Sequence, residues 1–404
     1  MRLASFPSPK DTSFGNDDLS AIVRSLGAET LAIGIEERFT AGQPDTAGRR
    51  AMANAGLLGV TIPSRYGGQG RDYLALATIC EELARIDLSY QITVTVHLAL
   101  TSMAILQWGT GAQRDTWLPP LARGERLATF ALTEPDAGSD VTALRARASR
   151  DGAGFRLQGE KTWISEANEA SLFLVFATLD PRRRHHGITA FLVPRETEGV
   201  TTTHLRGKLG VRAGDTGSVI LDNAWVSSDH VLGELGEGFP IALSALSTGL
   251  FTVGCGALGA ARDCVDRTLA LLHAQSSAPP VAEQPQWLKR QLASVIAGEA
   301  RSRLLLQQAA LLKNAGQPSQ QATSLAKWTA ATVALDAAET SLRLHQVLAP
   351  GAGPAVERQL RNIRGSVIYG GTTQIHEAMQ GAHALGARTD RPFRCPTPTA
   401  NDLR

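Results

Sequence analysis

Cysteine is scarce, with four residues in 404, Cys80, Cys255, Cys264 and Cys395, and their spacing matches no metal-binding pattern. Three of them lie in apolar, helix-like surroundings, where a reduced buried thiol is the usual state, so a reducing, cytoplasmic setting is expected and a metal site is not. No charge of one sign dominates. Lys and Arg total 40 against 38 Asp and Glu, and the basic residues are spread along the chain, which excludes a nucleic-acid or anionic-membrane partner of the polybasic kind. The one basic run, Arg182-Arg183-Arg184-His185-His186, reads as a solvated loop tip between strands. No sustained apolar core of signal-peptide length follows Met1, and no stretch reads as long and apolar enough to span a bilayer, so neither a transit peptide nor a membrane anchor is expected.

What is present is the make-up of an ordinary globular protein, 43% hydrophobic and 19% charged, long enough for two or three packed units. From about Leu19 to Leu127 apolar residues recur at helical steps, as in Leu19, Ile22, Val23, Leu26 and again Leu74, Leu76, Ile79, Leu83. The segment from Tyr90 to Gly109 is apolar almost all round and predicts a buried helix, with His97 a satisfied core histidine. From Phe130 the period changes. Short apolar runs beginning at Phe155, Ser171, Gly187 and Gly217, bounded by Gly, Asp or Pro, predict an all-β unit built as a small barrel or sandwich. After Gly238 the helical period returns in four long segments, about 239–275, 287–315, 319–348 and 372–385, which predict a four-helix bundle. The expected order is therefore a helical domain (1–128), a β-barrel domain (129–236), a helical bundle (237–388) and a frayed tail (389–404), an α+β architecture.

The stretch Phe130-Ala-Leu-Thr-Glu-Pro-Asp-Ala-Gly-Ser-Asp-Val141 joins the first helical part to the strands. It reads as a polar loop fed by a strand end, whose Thr133, Ser139 and backbone N–H groups suit the edge of a flat polar ligand. This Thr-Glu-Pro-x-Ala-Gly-Ser-Asp loop in an α–β–α order resembles the acyl-CoA dehydrogenase family of flavoproteins. Further stretches fit it in order: Gly159-Glu-Lys-Thr-Trp-Ile-Ser165, Lys208-Leu-Gly-Val-Arg212, Leu235-Gly-Glu-Gly-Phe239 and Ile368-Tyr-Gly-Gly-Thr-Thr-Gln-Ile375. The resemblance implies FAD between the β domain and the bundle. It implies that Leu132 N–H and Thr133 bond the flavin's pyrimidine side, that Ser139 serves the diphosphate or substrate side, and that Trp163 and Ser165 cover the ring. Gln286, Gln346, Thr372 and Gln374 match positions that reach FAD from the bundle, partly across a subunit interface, so a homodimer or homotetramer is implied. The implied substrate is an acyl thioester on coenzyme A or an acyl carrier protein, with an electron-transfer partner or oxygen as the second redox partner.

Two departures stand out against that family pattern. The glutamate that takes the α-proton follows the Ile-Tyr of the C-terminal motif, where this chain has Gly370, or sits on the first bundle helix, where it has Gly249. Glycine cannot move a proton, so another residue serves, with Glu166 the nearest candidate by motif and His376 and Glu377 weaker ones, or the reaction begins differently. A loop carboxylate in solvent is the alternative identity of Glu166. The family's Arg-x-x-Phe-Gly, which reaches the FAD diphosphate, is replaced around Gln275–Pro279, so FAD is expected to be held more loosely. The implied function is an FAD-dependent oxidoreductase with a non-standard or relocated base. Its alternatives are a flavin-dependent monooxygenase on the same fold and a non-catalytic binding or assembly protein.

Overall fold

A computed structural model describes residues 14–274, 285–349, 351 and 353–404. Seven helices come first: α1 (Asp17–Leu26), α2 (Ile35–Ala41), α3 (Thr46–Asn54), α4 (Tyr73–Ile86), α5 (Leu88–Val94), α6 (Met103–Trp108) and α7 (Gly111–Ala122). Their starts follow local chemistry. The Asp72 carboxylate accepts the Ala75 N–H at the head of α4, and Thr110 and Gln113 form a capping box on α7. Wide π-helical turns over Thr95–Ser102 join α5 to α6 into one rod, Leu88–Trp108. Contrary to the sequence reading, this rod and the helix Gly238–Ala274 are each long and apolar enough to cross a bilayer. Both are core helices here, with 94% and 83% of their most apolar windows buried inside the protein. His97 is a satisfied core residue as expected: its Nε2 lies 3.1 Å from the Leu121 carbonyl and its Nδ1 accepts the Ala128 N–H at 3.1 Å.

Eight strands follow: β1 (Ala128–Ala131), β2 (Arg147–Asp151), β3 (Gly154–Ser165), β4 (Leu172–Thr178), β5 (Ile188–Pro194), β6 (Val200–His204), β7 (Thr216–Ser227) and β8 (Val231–Leu232). They run in the order β6-β7-β3-β2-β4-β5-β8, with β1 parallel to β4. Strands β2 and β4 meet only at Arg147 and Thr178, so the sheet folds there into two facing layers. Phe155, Leu157, Phe173, Phe191 and Leu221 fill the space between the layers, with the Phe155 and Phe191 rings 5.4 Å apart. No pairing joins β6 to β8, so the expected barrel is open in its hydrogen bonding. Strand β4 is apolar from Leu172 to Ala177 because its second face, Leu172, Leu174 and Phe176, packs into the helical core.

The bundle comprises α8 (Gly238–Ala274), α9 (Gln286–Asn314), α10 (Gln320–Leu348), α11 (Pro354–Ser366) and α12 (Thr373–Ala384), and the short α13 (Ala400–Leu403) ends the chain. Helix α11 is absent from the periodicity reading. Val356, Leu360, Ile363 and Val367 keep helical spacing there, but the segment is short and strongly charged, and Arg358, Gln359 and Asn362 turn inward beside Val356 and Ile363. Those polar groups tie the parts together. Arg358 pairs with the buried Asp87, and Asn362 donates to Asp87 at 2.9 Å while accepting the Val211 N–H at 2.6 Å. The tail is docked rather than frayed: Leu403 is fully buried, the Tyr73 hydroxyl donates to the Pro398 carbonyl at 3.1 Å, and Gln107 donates to the Cys395 carbonyl at 2.7 Å.

Candidate active site

The loop after β1 is held from behind by a buried ion pair. Lys161, on β3, donates to Glu134 at 2.6 Å and to the Leu132 carbonyl at 3.1 Å, and Glu134 also accepts the N–H groups of Arg145 at 2.5 Å and Ala146 at 2.9 Å. Burial pulls the Lys161 ammonium down to about 8, with the Glu134 charge opposing the shift, so Lys161 stays largely protonated at neutral pH. Thr162 N–H donates to the Thr133 carbonyl at 2.9 Å, and the Thr129 hydroxyl donates to the Ser165 carbonyl at 2.6 Å. These bonds bring Leu132, Thr133, Trp163 and Ser165 to one edge. Among the described residues the hydroxyls of Thr133 and Ser139 have no hydrogen-bond partner, and Trp163 leaves 59% of its surface exposed on a left-handed backbone (φ 57°). An open indole plane beside a hydroxyl and a rigid loop suits a flat ring with a polar edge.

The facing wall comes from the bundle and is apolar. At Gly249, on α8, an added Cβ would fall 2.5 Å from Leu100 Cδ2, so the leucine of the π-helical turn fills the space a longer side chain would take. Gly370 has φ 65°, and a Cβ there would point at Leu250 Cδ2, 3.1 Å away, and Val253. Leu100 and Leu250 thus lie against the two glycines that the resemblance matches to the family's base positions. On the outer side of the bundle, Gln286 opens α9, Gln346 lies near the end of α10, and Thr372 caps α12 by accepting the Ile375 N–H at 3.4 Å. Gln286, Gln346 and Gln374 are exposed, as are the apolar side chains Val347, beside Gln346 in the chain, and Ile368 and Ile375 in the motif of Gln374.

Family models cover nearly the whole chain: the acyl-CoA dehydrogenase N-terminal domain matches residues 16–125, the middle domain 129–224 and the C-terminal domain 236–385. The chain belongs to the acyl-CoA dehydrogenase family. It is 33% identical over 350 residues to the mitochondrial short-chain specific acyl-CoA dehydrogenase of Bos taurus, covering 87% of this chain and 84% of that protein. Among solved structures it resembles butyryl-CoA dehydrogenase from Megasphaera elsdenii, with a TM-score of 0.88 and 28% identity over 95% of this chain and 100% of the other. It also resembles a glutaryl-CoA dehydrogenase from Mycobacterium smegmatis in complex with FADH2, with a TM-score of 0.85 and 29% identity over 93% and 96% of the two chains.

Within this acyl-CoA dehydrogenase fold, Glu166 needs correcting on both readings. It is neither a solvated loop carboxylate nor an available base. It is 3% exposed, one oxygen accepts from Arg49 of α3 at 2.5 Å, and the other accepts the Thr93 hydroxyl of α5 at 2.5 Å. Arg49 also reaches Glu169 at 2.6 Å. Burial raises the Glu166 carboxyl above its ordinary range, against the pull of Arg49. His376 is buried as well, its Nδ1 2.8 Å from the Ser324 hydroxyl and its acidity shifted to about 4 by burial, while Glu377 is exposed. The replaced stretch from Gln275 to Pro279 lies outside the described residues. Sequence reasoning missed Lys161, Glu134 and Leu100. The first two stood inside quoted motifs, and only the facing of Leu100 towards Gly249 reveals its part.

Proposed function

We propose that this family member binds FAD and is an oxidoreductase acting on an acyl thioester, carried by coenzyme A or an acyl carrier protein, without either of the family's usual carboxylate bases. The observation that carries the reading is the pairing of a complete ring-holding edge with a wall where Leu100 and Leu250 face Gly249 and Gly370. Leu132 N–H and the Thr133 hydroxyl hold the pyrimidine edge, and Ser139 serves the diphosphate or substrate side. Trp163 lies over the ring and excludes water, and Ser165 completes that side. When bound, the flavin accepts or delivers a hydride at the β carbon of the acyl chain. Gln286, Gln346, Thr372 and Gln374 meet the cofactor from the bundle of this or a partner subunit. The exposed apolar Val347, Ile368 and Ile375 on the bundle support a homodimer or homotetramer.

The same wall favours a second reading, a flavin-dependent monooxygenase, because oxygen activation does not need an α-proton base. Electrons then pass between flavin and oxygen, whereas the first reading passes them to an electron-transfer partner or oxygen. The test is direct. The purified protein is expected to be yellow, or to become so on adding FAD, and an acyl-CoA series mixed anaerobically is expected to bleach it. Absence of bleaching with turnover of substrate by reduced flavin and oxygen overturns the dehydrogenase reading in favour of the oxygenase. A protein that takes up no flavin overturns both and leaves a binding or assembly role.

A further inference from the structure

The end of β3 carries two backbone irregularities in quick succession. Trp163 and Glu166 both sit in the left-handed region, at φ 57° and 59°, which disfavours residues with a Cβ, and the β3–β7 register slips between Lys161 and Ile164. Such a conformation persists only where its surroundings over-determine it. The backbone supplies part of the restraint: Glu166 N–H donates to the Asp215 carbonyl at 3.0 Å, and the Ser165 carbonyl takes the Thr129 hydroxyl at 2.6 Å. The remainder crosses a domain boundary. Arg49 of α3 and Thr93 of α5 hold one Glu166 oxygen each, and Arg49 is itself steadied by Glu169 at 2.6 Å and by the Thr46 hydroxyl at 3.2 Å.

The surroundings of this cluster leave no room for a ligand. The cavity bounded by Asp45, Arg49, Ser89, Thr93, Glu166 and Asp215 is about 10 Å³, at most the space of one water. A carboxylate with both oxygens engaged, closed off from any substrate-sized space, is suited to holding its own backbone and not to moving a substrate proton. What it holds is the turn that presents Trp163, two residues beyond Lys161 and three before Glu166.

We propose that Arg49, Glu166 and Thr93 are positioning residues: from the N-terminal domain they lock the left-handed turn at Trp163 to Glu166, and so fix the indole plane and Ser165 in the orientation that receives the isoalloxazine ring. The inference rests on the flavin reading for what the indole receives. The fixed indole itself is observable without flavin. Loss of the lock lets the turn relax toward ordinary backbone angles, tilting Trp163 away from the ring edge at Thr133.

The full-length protein labelled with 5-fluorotryptophan gives one fluorine resonance per tryptophan, and Trp163→Phe identifies that of Trp163. In Glu166→Ala the Trp163 resonance is expected to shift or broaden in the flavin-free protein, and the FAD dissociation constant to rise roughly tenfold. Glu166→Gln, whose amide oxygen still accepts from Arg49 while its NH2 donates to the Thr93 hydroxyl oxygen, is expected to restore the resonance and most of the affinity. A mere domain latch predicts lower thermal stability with an unmoved Trp163 resonance and an unchanged FAD constant, and that result overturns the proposal. Should Glu166→Ala fail to fold, Thr93→Val removes a single bond and is expected to move the same resonance by a smaller amount; no movement in it overturns the proposal equally. If the wild-type protein takes up no FAD, the flavin reading fails, while the resonance still decides whether the lock sets Trp163.

Discussion

The two walls of the site are built on opposite principles. The β-domain wall is polar and cross-braced: Lys161 and Glu134 lie behind the Thr133 loop, Arg49 and Glu166 behind the Trp163 turn, and each buried charge meets an opposite charge within 2.6 Å. The bundle wall is apolar around Gly249 and Gly370, and among the described residues neither of its buried lysines makes an ion pair with a carboxylate, Lys313 feeling Asp390 only through the field. Lys327 donates only to the Gly371 carbonyl, at 2.7 Å, and Lys313 to the Ser247 hydroxyl, at 3.0 Å. A paired buried charge keeps its protonation and its geometry, whereas an unpaired one gives up its proton more readily. On the proposed reading, one wall keeps the means of holding a ring while the other offers it different chemistry. Holding a cofactor and reacting with it are separable properties of this fold.

The sharpest way to break that contrast is to return the missing base. Gly370→Glu restores a carboxylate on the apolar wall. The added Cβ meets only the flexible end of Leu250 at 3.1 Å, and the left-handed backbone at φ 65° costs about 1–2 kcal/mol. A positioned general base contributes roughly 10²–10⁴-fold. The anaerobic rate at which acyl-CoA bleaches the flavin, followed by stopped flow, is expected to rise by that order. Gly249→Glu alone is expected to give no such gain, because its Cβ falls 2.5 Å from Leu100 Cδ2, and to give one only when combined with Leu100→Ala. Equal rates in all these variants would mean that proton abstraction is not what the apolar wall lacks.

The braced wall is probed by removing one member of its ion pair. Lys161→Met leaves the Glu134 carboxylate buried without its counter-charge, a loss of about 3–5 kcal/mol in urea unfolding. The double change Lys161→Met with Glu134→Leu is expected to recover part of it, because no charge is then stranded, although the Arg145 and Ala146 N–H groups lose their acceptor. A loss below about 1 kcal/mol in the single variant, the range of an exposed pair, would mean that the loop does not depend on this brace.

The same contrast decides what could be read without coordinates. The domain order, the buried Leu88–Trp108 rod, the satisfied His97 and the loop at Thr133 all follow from periods and motifs within a few turns of chain. Glu166 did not, because Arg49 lies 117 positions away and a single acidic residue after Trp-Ile-Ser has no local mark of burial. Helix α11 was lost although Val356, Leu360, Ile363 and Val367 keep helical spacing, because the segment is short and its charged residues, with Arg358 turned inward beside Gln359 and Asn362, dilute the apolar signal. The docked tail was lost for a related reason: Pro398 and Cys395 are held through their carbonyls, and a carbonyl has no side-chain signature. Gly249 and Gly370 were legible in the chain; that Leu100 and Leu250 lie against them was not.

The smallest effect is expected from the unpaired lysines, and its sign follows from their surroundings. Burial lowers Lys327 from 10.5 to about 7, with no carboxylate opposing the shift. Below pH 7 the lysine is protonated in both folded and unfolded chains, and the folded state bears the full cost of burying it. Between about 7 and 10.5 the unfolded chain binds more protons than the folded one, so stability rises with pH, and above 10.5 the cost is gone. Lys327→Met removes this contribution, and the rise in unfolding free energy between pH 7.5 and 9.5 is expected to shrink by roughly 1 kcal/mol per pH unit. Lys313, lowered to about 7 by burial against the pull of Asp390, and Lys161 and Lys208, each lowered to about 8 by burial, contribute with the same sign, so part of the slope remains in that variant. An unchanged slope in Lys327→Met would mean that this amine stays charged in the folded protein. The bundle wall would then be compensated in a way the Gly371 carbonyl alone does not supply, and the difference between the walls would reduce to the two leucines.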